Sequence, residues 1–271
     1  NVREHRKRGR EMAVQTKAIL VVSFGTSHND TREKTIDQIE NRIQDSFPDY
    51  RVYRAWTSDM IRKKLKNRDQ VQIDSVEEAF VRMKQDGIQQ VIVQPTHVMN
   101  AIENDKMRGQ ILAAQKDFKE IRTGDPLFAT DADRDRLVEI LGEYWKEIPE
   151  EELLIFMGHG TSHEANCVYE DLDLALKAAG HDNMYVGTVE SLPTLHMIIE
   201  KIQSLPVKKV HLAPFMIVAG DHARNDMAGE EKDSWGSLLR ARGYEVQCHI
   251  IGLGELEGIQ NMFVQHVREA K

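Results

Sequence analysis

The sequence holds only two cysteines, Cys167 and Cys248, far apart and in no CxxC or paired-CxxC arrangement. That spacing excludes a zinc ribbon and a dithiol redox motif, and leaves two thiols of a reduced protein as the simpler reading. No apolar run approaches the ~20 residues that cross a bilayer, so no membrane span is expected. Basic residues do not predominate: 36 Lys and Arg stand against 44 Asp and Glu, for a net charge of -8. A general nucleic-acid binder needs a basic face for phosphate contacts, so that class is set aside. An acidic whole can still enclose a basic cleft, so an acidic small-molecule ligand stays open. There is no Walker A sequence and no GxGxxG behind a strand, so no nucleotide is expected.

What is present describes a globular protein. Apolar residues make up 41% and charged residues 30% of the 271 positions, enough for a real core without the bias of disorder. Asn1 to Arg10 (NVREHRKRGR) is basic and polar with no apolar stretch behind it, so it is not an intact signal peptide. Residues 1–16 read as an N-terminal arm, and Met12 is a plausible natural start. The expected compartment is the cytoplasm, with an exported variant as the alternative.

Two stretches read alike. Lys17 to Asp30 runs KAILVVSFGTSHND, and Glu152 to Asn166 runs ELLIFMGHGTSHEAN. Each has an apolar run of strand type, then Gly-Thr-Ser-His, then a helical pattern. A second pair, Gln90–Pro95 (QVIVQP) and Lys209–Pro214 (KVHLAP), ends in proline and leads to an Asn-Asp pair, Asn104-Asp105 or Asn225-Asp226. Proline at a strand's end turns the chain into a loop. This points to duplication of one α/β unit. Strands are expected at Ile19–Ser23, Arg51–Ala55 and Val91–Gln94, and again at Leu153–Met157, Met184–Val189, Val210–Ala213 and Val246–Ile251. Helices are expected from about Arg32, over Ser58–Lys66, Val76–Gln85, Tyr169–Ala179 and Thr194–Gln203, and from about Leu256. Apolar strands alternating with helices give parallel, doubly wound sheets. The expected fold is therefore α/β, with two similar Rossmann-like halves facing a central cleft. The boundary falls at Ile148-Pro149-Glu150, dividing 17–148 from 149–271, with the last helix able to pack back on the first half.

In open α/β sheets ligands sit beyond the carboxyl ends of the strands. His159, between two glycines after Leu153–Met157, is an unhindered strand-end imidazole that could face a ligand or bond to nearby backbone. Glu190 follows the apolar MYVGTV run; taken alone it reads first as an acid near a helix start, favoured by the macrodipole. His222 lies in AGDHARNDMAG, and its plainer reading is a solvated histidine among Asp221, Arg224 and Asp226. All three come from strand ends of one half, so they can converge. Two imidazoles and a carboxylate suit a borderline divalent ion such as Co²⁺, Ni²⁺, Fe²⁺ or Zn²⁺, with positions left for a substrate. His97, in QPTHVMN, occupies the matching loop of the first half and could reach into the cleft or be a simple loop histidine. Ser23, Gly25 and Thr26 are further candidates to line a substrate site there. Thr26/Ser27 and Thr161/Ser162 carry helix N-cap chemistry, so His28 and His163 read as structural. Arg54 and Arg62 could receive substrate carboxylates, against a plainer reading of the basic helix around Arg62 as a solvated face.

At these residues the sequence resembles the anaerobic sirohydrochlorin cobaltochelatases, of the class II chelatase group with the ferrochelatase-like fold. The resemblance rests on VVSFGTS at Val21–Ser27, FMGHG at Phe156–Gly160, VGTVES at Val186–Ser191, VAGDHARNDMAG at Val218–Gly229 and DSW at Asp233–Trp235. It implies a cobalt site of His159, Glu190 and His222, a tetrapyrrole in the cleft, no ATP, and a place in oxygen-independent cobalamin synthesis. It also suggests a homo-oligomer, and haem as a further ligand in some relatives. The family's QSLH stretch stands here as QPTH, so the sequence departs from the pattern at Pro95-Thr96, beside His97.

Overall fold

A computed structural model describes residues 15–271. The first half runs β1 (Lys17–Ser23), α1 (Asn29–Lys34), α2 (Ile36–Ser46), β2 (Arg51–Trp56), α3 (Asp59–Asp69), α4 (Val76–Gln85), β3 (Gln90–Pro95), α5 (Ile102–Ala114), β4 (Glu120–Thr123) and α6 (Asp131–Tyr144). The second runs β5 (Leu153–Gly158), α7 (Val168–Ala178), β6 (Met184–Thr188), α8 (Leu195–Ile202), β7 (Lys209–Pro214), α9 (Trp235–Arg240), β8 (Glu245–Cys248) and α10 (Glu257–Arg268). The two four-stranded sheets have the same order, β2-β1-β3-β4 and β6-β5-β7-β8, and every pairing is parallel. The α/β class and the repeated plan read from the sequence are what is found.

The central strands explain the topology. Ala18 to Val22 are completely buried, as are all six residues of β5. A strand apolar on both faces is stable only with helices on each side, which parallel crossovers supply. One apolar core runs through both halves: Ile19, Val21 and Ile92 of the first sheet join Leu154 and Phe156 of the second, with Phe215 and Phe263. Helix α10 lies on α2 and α6, and His266 there bonds to the Asp125 carbonyl at 3.0 Å and to Asp133 at 2.7 Å.

Four elements were not anticipated from the sequence: α5, α6, α9 and the short edge strand β4. The single helix expected from Arg32 is broken at Thr35, a buried residue with φ -121° and ψ -82°. Its hydroxyl donates to the Thr31 carbonyl at 2.6 Å, a side-chain bond that competes with helix continuation. Among the described residues, no helix is long and apolar enough to cross a membrane.

Candidate metal centre in the cleft

His159 leaves β5 at its carboxyl end, Glu190 follows β6, and His222 opens a π-helical turn, His222–Met227, after β7. Such turns cluster at functional sites. One ligand atom from each of the three residues lies within 4.8 Å of the others. The imidazoles of His159 and His222 meet edge to face, 4.5 Å between centroids, and Glu190 Oε2 is 3.7 Å from His159 Nδ1. The side chains are partly open to solvent, at 46% for His159, 55% for Glu190 and 39% for His222, so an ion and a ligand can reach them.

The surroundings fix this geometry. The Glu190 N–H donates to the His159 carbonyl at 2.9 Å and the Val189 N–H to the Gly158 carbonyl at 3.0 Å, which ties the two loops together. Gly160 has φ +86°, a left-handed conformation suited to glycine, and a Cβ there would meet the Ser191 backbone nitrogen at 2.8 Å. Hydrogen bonds orient both rings. His159 Nδ1 lies 2.9 Å from the Gly160 carbonyl, and His222 Nδ1 lies 2.5 Å from Asp226 Oδ2. Both acceptors call for a proton on Nδ1, which leaves each Nε2 with its lone pair. Glu190 lies outside the first turn of α8, whose cap is Thr194, so its plainer role as a helix-start acid does not hold.

The first half faces this centre through reciprocal contacts. His28 Nε2 lies 2.7 Å from Asp221 Oδ1, a bond that holds the Asp221 carboxyl below its ordinary range. In mirror fashion His163 Nε2 lies 3.5 Å from Asp105 Oδ2. Arg224 donates to Asp30 at 2.9 Å. The threonines of the two tetrads repeat one bond: Thr26 Oγ1 accepts from the His28 N–H at 3.2 Å, and Thr161 Oγ1 from the His163 N–H at 3.1 Å. The expected helix capping by Thr26/Ser27 and Thr161/Ser162 is therefore corrected. The caps are His28 and His163, and His163 Nδ1 itself accepts from the Ala165 N–H.

The other expected positions make contacts of their own. Ser23 is buried and accepts from the Thr96 hydroxyl at 2.8 Å. Gly25, at φ +102°, lets the chain lie flat on Trp56, whose ring would be 2.6 Å from a Cβ. Thr26 is buried against the Gly220 loop of the opposite half. Arg54 is bound to Glu40 at 2.6 Å and to Asp37, and Arg62 to Asp59 at 2.6 Å and Glu78 at 3.1 Å. Either guanidinium would have to exchange these carboxylates to take one from a substrate. His97 has both ring nitrogens buried without a hydrogen-bond partner, and the same holds for Glu103 Oε2 and Asn104 Oδ1. Burial lowers the His97 pKa, although the Glu103 charge opposes it, so the ring is neutral. Sequence reasoning passed over Glu103 and treated Asp226 only as a neighbouring charge. The i,i+4 spacing of His222 and Asp226 would have paired them had a helical turn been expected there.

Comparison with known proteins identifies the family and the fold. Residues 17–271 match the family model described as Cobalt chelatase (CbiK). The sirohydrochlorin cobaltochelatase of Salmonella typhimurium is 39% identical over 254 residues, covering 94% of this chain and 96% of the relative. The sirohydrochlorin cobaltochelatase CbiKC of Nitratidesulfovibrio vulgaris is 32% identical over 257 residues, covering 94% and 90%. Among solved structures, SirB from Bacillus subtilis with Fe³⁺ superposes with a TM-score of 0.64 at 14% identity, covering 94% of this chain and 95% of that one. CbiX, described as the terminal enzyme of sirohaem biosynthesis in denitrifying bacteria, superposes at 0.57 with 12% identity, over 94% of this chain and all of that one. At such identities the structural likeness speaks for the fold. The match along almost the whole described chain, with two relatives above 30% identity, places this protein in the cobalt chelatase (CbiK) family.

Proposed function

We propose that this protein inserts Co²⁺ into sirohydrochlorin without ATP, with His159, Glu190 and His222 holding the incoming ion. The observation that carries the reading is the convergence of two imidazoles and one carboxylate within 4.8 Å at the carboxyl ends of three strands. Family membership and the relatives named sirohydrochlorin cobaltochelatase supply the substrate pair.

The chemistry follows from the balance of charge. A free ring loses two pyrrole N–H protons as a divalent ion enters. His159 Nε2, His222 Nε2 and the Glu190 carboxylate hold the ion first, as borderline donors suited to Co²⁺. As the ring nitrogens replace them, the released lone pairs of His159 and Glu190 are positioned to accept the two protons. Neutral imidazole is suited to that role near pH 7. Water exclusion by the seated ring strengthens each step. Fe²⁺ and Ni²⁺ fit the same donors, so supply as well as affinity selects the ion.

The test is anaerobic mixing of purified protein with sirohydrochlorin and Co²⁺, followed by absorbance, with Fe²⁺ and Ni²⁺ in parallel. Acceleration over the uncatalysed reaction is expected, and His159→Ala and His222→Ala should each lower it by about 10²-fold or more. A parent protein that binds the ring tightly without acceleration would mark a carrier instead. Variants as fast as the parent would remove the site assignment.

A further inference from the structure

A second group of metal-ligating side chains lies at the opposite end of the second sheet. Glu152 precedes β5, whereas His159 follows it. The six residues between them span about 20 Å of extended strand. His211 of β7 is almost fully buried and uses both ring nitrogens. Its Nε2 lies 2.5 Å from Glu152 Oε2, and its Nδ1 lies 2.9 Å from His249 Nε2. The two imidazoles lie edge to edge and nearly coplanar, 20° between planes and 5.2 Å between centroids. Trp145 meets the His249 ring edge to face at 4.9 Å. This group opens on a pocket of about 480 Å³, walled by Tyr144, Trp145 and Ile251 beside Lys209.

We infer that His211 and His249 bind a second transition-metal ion, with Glu152 as the carboxylate that orients His211. A carboxylate only accepts, so Glu152 keeps the His211 proton on Nε2 and leaves Nδ1 as a lone pair. That is the carboxylate–histidine–metal arrangement by which ligating histidines are ordinarily held. One proton between His211 Nδ1 and His249 Nε2 holds the nitrogens at 2.9 Å. The two nitrogens point at each other, so an ion about 2.0–2.1 Å from each takes that proton's place once His249 swings outward and the nitrogens part to roughly 3.3 Å, the span of a tetrahedral angle between two such bonds. The partly exposed His249 ring has room to turn toward the pocket, and water there completes the coordination. The donors also set the class of ion. Glu152 already serves His211 and lies 3.6 Å from Lys209, so it has little charge left for a hard cation. Two imidazoles instead select Co²⁺, Ni²⁺, Zn²⁺ or Cu²⁺. The site shares no residue with the cleft and stands whether or not the cleft is the insertion centre.

Equilibrium dialysis with Co²⁺, and separately with Zn²⁺, tests this in a chain carrying His159→Ala and His222→Ala, which removes the cleft imidazoles. That chain is expected to retain about one bound ion. Adding His249→Ala should weaken the remaining binding at least tenfold, and adding Glu152→Gln by about 10–100-fold. His249→Ala alone, in an otherwise intact chain, should leave cobalt insertion unchanged. Because His211 is buried and its loss can disturb folding, His249 carries the test, with the melting temperature of each variant as control. The inference is overturned if the cleft-deficient chain binds no ion, or if its remaining ion is held equally well by folded His249→Ala protein.

Discussion

At the scale of single residues, the cleft shows why a ligand set is incomplete without the groups behind it. His222 would present either nitrogen to an ion if it were free. Asp226, 2.5 Å from Nδ1, decides which one faces outward and makes that imidazole a stronger donor. Removing its charge while keeping its shape should therefore act on the ion and leave the fold alone. In Asp226→Asn, Co²⁺ affinity measured by competition with a chromophoric chelator is expected to fall about 10–100-fold. Since Asp226 is 44% exposed, the unfolding free energy should stay within about 0.5 kcal/mol of the parent. An affinity equal to the parent's would mean that the ring orientation is held by packing alone. His159 shows the same design with a backbone partner, the Gly160 carbonyl, which no side-chain substitution can remove.

At the scale of elements, the buried pair His266–Asp133 ties α10 to α6, and it should appear in the pH dependence of stability. For His266, burial disfavours the charged form, but the Asp133 hydrogen bond outweighs it and the net shift is upward from 6.5. For Asp133, burial likewise opposes charge, and the His266 bond brings the carboxyl below 3.8. The histidine's contribution is complete below 6.5 and fades as pH rises through its raised value. The carboxylate's contribution is complete above 3.8 and fades as pH falls through its lowered value. The pair therefore stabilises most between those two ordinary values. Denaturant unfolding should show a loss of about 1–3 kcal/mol at pH 6 for His266→Gln, shrinking toward pH 9. A deficit of the same size at both values would show that the ionic part of the contact contributes nothing.

The same scale shows what could be read in advance. Strands β1, β3, β5 and β7 were legible because each is a short, mainly apolar run leading to a Gly or Pro signal, and burial on both faces leaves that pattern little freedom. Helix α4 was legible for a local reason: Ser75 and Glu78 form a capping box ahead of an amphipathic run. Helix α6 carries the same signal in Thr130 and Asp133, and it was overlooked although the cue is local. Helix α5 offers much less, having Gly109 inside it and an uncapping Ala101 before it. Strand β4 is four half-exposed residues, Glu-Ile-Arg-Thr, and it exists because β3 presents a free edge to it. His159, Glu190 and His222 were legible as strand-end residues able to converge, and the structure brings them together. The bonds that aim them, from Asp226 and the Gly160 carbonyl, depend on a π-helical turn and a left-handed glycine that spacing alone did not announce.

For the whole molecule, the question is what the reciprocal contacts across the cleft do. The halves do not need them to stay together, because one apolar core already runs from Ile19 and Val21 through Leu154 and Phe156 to Phe263. The crossing pairs His28–Asp221 and His163–Asp105 are largely solvated, with the two aspartates at 67% and 62% exposure. Pairs of that kind contribute at most about 1 kcal/mol each. Their position matters more than their strength. Each joins a Gly-Thr-Ser-His loop of one half to the segment after the third strand of the other, at Asp221 after β7 and at Asp105 in the first turn of α5, so together they set the spacing of the cleft's lips. A ring seated between the lips senses that spacing, whereas an ion held by His159, Glu190 and His222 does not. The double variant His28→Ala/His163→Ala should therefore melt within a few degrees of the parent and bind Co²⁺ with about the same affinity. Its KM for sirohydrochlorin should rise several-fold under anaerobic steady-state conditions. A weakened Co²⁺ affinity would instead place these histidines in support of the metal centre. Unchanged kinetics would leave the shared core as the sole determinant of cleft width.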